Sequence, residues 1–153
     1  MNNERPKIFT LLISCLFIFA GETFANEKSI LSVNSNCGDI SEGEFMVSQE
    51  LHTYKINMQP GDILDANIIP VGAYLQLDAE LYDPVDQKLE GIMASSAGTK
   101  LIMKSKVLSG RGEYKVQVRN YNKRRGSSGR AGMYEIHFGC VKRNGDNIIP
   151  SGK

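Results

Sequence analysis

Two histidines, a few closely spaced carboxylates and a run of cations are the side chains of this 153-residue chain that could do chemistry. A Ser, Thr or Cys nucleophile needs a general base, usually histidine, held in place by a third group. Only His52 and His137 could serve as that base. Both fall in segments that alternate apolar and polar residues, so both are expected on strands. His137 lies opposite the apolar set and reads as a solvated sheet residue. Ser127 and Ser128 sit in a polar Gly-flanked run, not in a strained strand-to-helix turn. A histidine-based active site is not expected.

Paired carboxylates are the next candidates. Asp78 and Glu80 are two positions apart and would share one face of a strand, as would Glu42 and Glu44 if that segment is extended. Such a pair could serve a small hydrolase acting on glycosides, or bind a hard cation. A solvated strand face is the plainer reading and the one preferred. Asp62, Asp83 and Asp86 fall in turns and could each offer oxygens to calcium, but no twelve-residue EF-type spacing is present. The three Cys and two His are too scattered to supply a four-ligand metal site. No cofactor and no metal ligand is therefore assigned, with calcium the one ion kept open.

Charge carries the best clue to binding. The formal net charge is only +1. Yet residues 27–90 hold 3 basic and 12 acidic side chains, and residues 91–153 hold 13 basic and 3 acidic. In a two-sheet fold both halves contribute to both sheets, so this asymmetry can dissolve into cross-strand pairs. Alternatively, Lys123, Arg124, Arg125 and Arg130 form a basic patch, joined by Lys115, Arg119 and Tyr121 on and beside the preceding strand. Such a patch suits an acidic partner: a lipopolysaccharide, an anionic glycan or an acidic protein surface. Nucleic acid is not expected, because no aromatic platform beyond Tyr121 interleaves the cations. Gly126-Ser127-Ser128-Gly129 lacks the lysine-capped helix of a phosphate-binding loop.

The elements that must position these residues begin after a leader. Arg5 and Lys7 precede an uncharged run from Ile8 to Ala20, and Thr23-Phe24-Ala25 offers small residues before a cut after Ala25. These are the three regions of a secretory signal peptide over 1–25. The apolar run is shorter than the roughly 20 residues of a spanning helix, so no transmembrane anchor is expected once the leader is gone. Leu12-Ile13-Ser14-Cys15 loosely resembles a lipoprotein cleavage box, but a chain starting there would keep an apolar tail with no role. The mature chain retains Cys37 and Cys140. In an oxidising compartment that pair is most simply a disulfide, with two unrelated buried thiols as the alternative.

Period-2 alternation dominates the mature chain, cut by turn residues every eight to fifteen positions. Strands are expected at Ile30 to Val33, His52 to Met58, Ile63 to Ile69, Leu75 to Tyr82, Leu89 to Met93, Leu101 to Leu108, Tyr114 to Asn120 and Tyr134 to Cys140. The Leu101 to Leu108 register, with Val107 on the side of Leu101 and Met103, is ambiguous. The fold class is an all-β, jelly-roll-like antiparallel β-sandwich. It divides into an N-terminal segment with an edge strand (26–44), a sandwich core (45–141) and a polar, flexible tail (142–153). The disulfide would staple the first strand to the last.

Several motifs occur in an informative order. They are Tyr54-Lys55-Ile56 running into Pro60-Gly61-Asp62; Ala79-Glu80-Leu81-Tyr82-Asp83-Pro84; Gly112-Glu113-Tyr114-Lys115-Val116-Gln117-Val118; and Gly132-Met133-Tyr134-Glu135-Ile136. Over about residues 45–140 this pattern resembles the bacterial pre-peptidase C-terminal domain, a secreted β-sandwich. The Cys37/Cys140 pair is not part of that pattern. The resemblance implies a non-catalytic accessory fold beside proteases or in surface proteins, associated with substrate, polysaccharide or matrix binding. The expected function is therefore an exported, periplasmic or secreted, binding module that contacts an anionic glycan or protein surface. The alternatives are an accessory subunit of a periplasmic or secreted complex and, below it, the carboxylate hydrolase.

Overall fold

A computed structural model describes residues 28–46, 50–121 and 131–150. The expected leader, and Lys123, Arg124, Arg125 and Arg130 of the basic patch, lie outside the described residues. Among the described residues there are ten strands: β1 (Lys28–Ser35), β2 (Ile40–Phe45), β3 (Glu50–Met58), β4 (Ile63–Val71), β5 (Leu77–Tyr82), β6 (Lys88–Met93), β7 (Leu101–Lys104), β8 (Gly112–Asn120), β9 (Gly132–Val141) and β10 (Asn147–Ile148). Sheet one runs β1-β3-β8-β5-β6. In sheet two, β4 lies between β7 and β9, while β2 and β10 share the other edge of β9. This is the all-β sandwich that the alternation implies.

Alternation decides which side chains meet between the sheets. Tyr54, Ile56 and Met58 of β3 and Tyr114, Val116 and Val118 of β8 face Leu64, Ala66 and Ile68 of β4 and Tyr134, Ile136 and Phe138 of β9, all essentially without solvent exposure. Each large apolar side chain buried this way contributes about 1.5–3 kcal/mol. The intervening residues point to solvent and form the two outer faces, where any binding chemistry must sit.

Four features differ from the sequence expectation. The first is that β1 pairs parallel to β3, from Lys28↔Glu50 to Ser35↔Ile56, inside an otherwise antiparallel sheet. The second is β2, whose inward residues Ser41, Gly43 and Phe45 carry too little apolar signal to announce a strand. Next, β7 stops at Lys104. Ser105 turns inward, its Oγ accepting from Leu64 N (2.9 Å), and Leu108 N then donates to Asp62 O (2.8 Å). Leu108 is thereby buried and Val107 exposed, the reverse of the expected register. Lastly, residues 142–148, read as part of a loose tail, return to the sheet: Lys142 and Arg143 N bind Asp62, and β10 pairs with Val141 and Cys140.

The disulfide joins Cys37 and Cys140, with Cα atoms 5.5 Å apart. Cys37 lies in the turn that carries the chain from β1 to β2, and Cys140 lies on β9. The bridge therefore ties the end of an edge strand of sheet one to an interior strand of sheet two, instead of joining two edge strands. Met58 Sδ lies 3.9 and 4.0 Å from the two sulfurs and packs against them.

Candidate functional site

Arg119, on the outward side of β8, stands opposite Asp78 of β5. Its guanidinium binds Glu80 Oε2, lies 3.7 Å from Asp78 Oδ1, and donates to Gln117 Oε1 at 3.3 Å. Glu80 also receives Lys88 Nζ and the Tyr82 hydroxyl (2.8 Å). The strand period places Asp78, Glu80 and Tyr82 in one row, and antiparallel pairing brings β8 and β6 to its two sides. Burial alone would raise the Glu80 pKa, but hydrogen bonds from Arg119, Lys88 and Tyr82 outweigh it and bring the group down to about 2.

Gly91 stands opposite Glu80 and leaves a gap in this face. The resulting cleft, about 270 Å³, is lined by Asp78, Glu80, Lys88, Ile92 and Met93. Two carboxylates on one face, the arrangement a hydrolase would need, are thus present. Glu80 is unsuited to be the acid of such a pair. A retaining or inverting mechanism needs one carboxyl protonated near neutral pH. Glu80 stays ionised there and shares an arginine with Asp78.

Lys115 reaches Asp86 at 2.6 Å, so the two described cations of the expected basic patch are both engaged by acids. Tyr121 anchors the start of the β8–β9 connection, its N–H donating to Gln76 O at 2.6 Å. On this face the described cations are drawn into cross-strand and turn pairs with acids.

The turn aspartates are occupied locally. Asp62 is buried and receives Lys142 Nζ (2.9 Å), Gln59 N (3.1 Å) and Arg143 N (3.2 Å). Asp83 Oδ1 accepts from Val85 N and Gln87 N at 3.0 and 2.8 Å. Among the described residues, no group of three or more His, Cys, Asp or Glu side chains is placed to hold a metal.

His52 is buried with its ring stacked on Phe45, centroids 4.2 Å apart. Its Nδ1 lies 2.8 Å from the Tyr134 hydroxyl, which lies 2.8 Å from that of Tyr54. Desolvation lowers the His52 pKa, only partly opposed by Glu50, and burial raises that of Tyr134. The neutral ring and neutral phenols form a satisfied polar chain inside the core, and among the described residues no Ser, Thr or Cys is a hydrogen-bond partner of the histidine. Sequence reasoning placed His52 on a strand but did not pair it. The available signal was its parity with Tyr54, which puts it on the inward face. His137 lies on the outer face of sheet two, its Nε2 2.9 Å from Glu135 Oε2.

No family model and no curated protein matches the chain. Solved structures do. The chain is similar to the pre-peptidase C-terminal domain of a collagenase from Bacillus anthracis, at 15% identity and a TM-score of 0.52, covering 72% of this chain and 97% of that one. It is also similar to PliG of Aeromonas hydrophila, a periplasmic inhibitor of g-type lysozyme, at 15% identity and a TM-score of 0.51, covering 71% of this chain and 94% of that one. At this identity the likeness establishes the fold: the chain has a pre-peptidase C-terminal-like sandwich, as its motif order implied.

Proposed function

We propose that the chain is an exported, non-catalytic binding module that contacts an anionic glycan or protein surface at the bacterial cell envelope. The observation carrying this reading is the capture of Asp78 and Glu80 by Arg119. It turns the carboxylates best spaced for hydrolysis into a brace across sheet one. The fold is one used by a collagenase appendage and by a periplasmic inhibitor. Export is supported by the signal-peptide pattern of Met1 to Ala25 and by the Cys37–Cys140 bridge, since disulfides persist in oxidising compartments.

Within this proposal the contact is made by Lys123, Arg124, Arg125 and Arg130 in the β8–β9 connection, beside Tyr121. Lys115 and Arg119, the described cations assigned to the same patch, lie on β8 and are held by Asp86 and Glu80. Binding of the mature chain to lipopolysaccharide and to an acidic polysaccharide tests it. The Lys123→Glu/Arg124→Glu/Arg125→Glu variant should bind at least tenfold more weakly, and wild-type binding should weaken with added salt. Unchanged affinity in the variant removes the connection from the site.

A second reading is favoured by the likeness to a lysozyme inhibitor over 94% of that protein's length. Here the chain is an accessory or inhibitory subunit with a protein partner. Affinity capture from the native envelope that returns one protein in stoichiometric amount would favour it over glycan binding.

A further inference from the structure

Folding turns the charge difference between the two halves of the sequence into a difference between the two outer faces. On and beside the outer face of sheet one, Asp78, Glu80, Asp86 and Glu113 are matched by Arg119, Lys88, Lys115 and Lys55. The outer face of sheet two is built otherwise. Across β2, β9 and β4, Glu42 faces Glu135, which faces Ile69; Glu44 faces Met133, which faces Val71. The next rows are Ile40, His137, Asn67 and Ile102, then Gly139, Asp65 and Lys104. Glu135 has only His137 as a partner, and Glu42, Glu44 and Asp65 form no ion pair among the described residues.

Two properties of this face point outward. Like charges directly opposite across strands destabilise a sheet, and Glu42 with Glu135 is such a pair. Large apolar side chains are also open to solvent there: Ile102 57%, Val71 55%, Met133 43% and Ile40 38% exposed. An acidic, partly apolar surface rejects an anionic glycan. It rejects a second copy of itself as well, because a two-fold contact would set the same acids against each other. Its complement is a protein surface carrying Lys or Arg beside apolar residues.

We propose that the outer face of β2, β9, β4 and β7 docks a basic protein, whose cations sit among Glu42, Glu44 and Glu135 while its apolar residues cover Val71 and Met133. This deepens the protein-partner reading and rests on it.

The test uses the mature chain at low ionic strength with cytochrome c, a lysine-rich protein, as the probe. The chain is itself close to neutral, so attraction to the probe must come from a localised face. Glu42→Lys/Glu135→Lys should weaken binding at least tenfold. Asp86→Lys/Glu113→Lys, with the same change in net charge, should leave it within about twofold. Glu42→Gln/Glu135→Gln removes the opposed charges, should fold at least as stably as wild type, and should bind about threefold or more weakly. No binding by wild type, equal loss in the two lysine variants, or undiminished binding in the glutamine variant overturns the proposal. Capture from the envelope separates the two ideas. A stoichiometric partner retained by Glu42→Lys/Glu135→Lys overturns this face but keeps the protein-partner reading, whereas the absence of any protein partner removes both.

Discussion

Glu80 takes hydrogen bonds from three side chains, and its consequence is measurable through pH. Its folded pKa is about 2, below the ordinary carboxylate value of 4.5. The stability this shift confers is complete above pH 4.5 and is lost as pH falls toward 2. Glu80→Gln should therefore cost about 1 kcal/mol at pH 7, a figure kept small because Lys88 is half exposed. Urea titrations at pH 7, 4 and 2.5 should show the gap between variant and wild type closing. His52 acts in the same direction with pH, although the form that folding favours is the neutral one. Its folded pKa is depressed below 6.5, so the unfolded chain takes up that proton first. Stability should fall as pH drops below about 6.5. His52→Phe should abolish that part of the slope, while Tyr134 keeps Tyr54 as its hydroxyl partner. Melting curves at pH 7.5, 6 and 5 check it. A slope unchanged in the variant assigns the effect elsewhere.

At the scale of elements, packing against a partner overrides weak local pattern. β2 exists because Gly43 lets the Tyr134 ring lie over the strand: a Cβ there would come within 2.4 Å of Tyr134 Cζ. Gly43→Ala should destabilise by about 2 kcal/mol or more, because the ring is locked among buried neighbours and cannot yield. Thermal melting should show this, along with faster amide exchange in β2. β10 is held in the same indirect way. Its two residues, Asn147 and Ile148, carry no strand pattern, but Asp62 grips the Lys142–Arg143 turn and directs the chain back along β9. β4, β5, β8 and β9 were legible to within a few residues because each alternates strictly over at least five positions. The slip after β7 was not. Val107 and Leu108 are equally apolar, and only hydrogen bonds from residues 105–108 to Leu64 and Asp62 choose between them.

For the whole molecule, the bridge across the sandwich and the division of charge between its faces are the two organising facts. Cys37 and Cys140 close a span of 103 positions and join sheet one to sheet two. The chain-entropy estimate for a loop of that length is about 4.7 kcal/mol, an upper figure. Cys37→Ser/Cys140→Ser should lose about 2–5 kcal/mol by denaturant titration. Reduction of the wild type should reproduce most of that loss. A double variant as stable as wild type would show that the Met58-centred packing alone holds the sheets together. The two faces then present different chemistry to solvent: one braced by Arg119, Lys88, Lys115 and Lys55, the other carrying Glu42, Glu44, Asp65 and Glu135.

By itself the sequence determined the fold class, the positions of most strands, most of the inward set and the preferred pairing of Cys37 with Cys140. These follow from a period of two and from the two cysteines that lie beyond residue 25, both readable along one dimension. Only the tertiary structure decided that His52 joins Tyr134 and Tyr54, that Asp78 and Glu80 share Arg119, and that Glu42 opposes Glu135. Such contacts depend on which strands become neighbours and in what register, and a one-residue shift exchanges the two faces of a strand. The linear excess of acid in one half and base in the other was therefore legible. Its partition between a neutralised face and an acidic one was not.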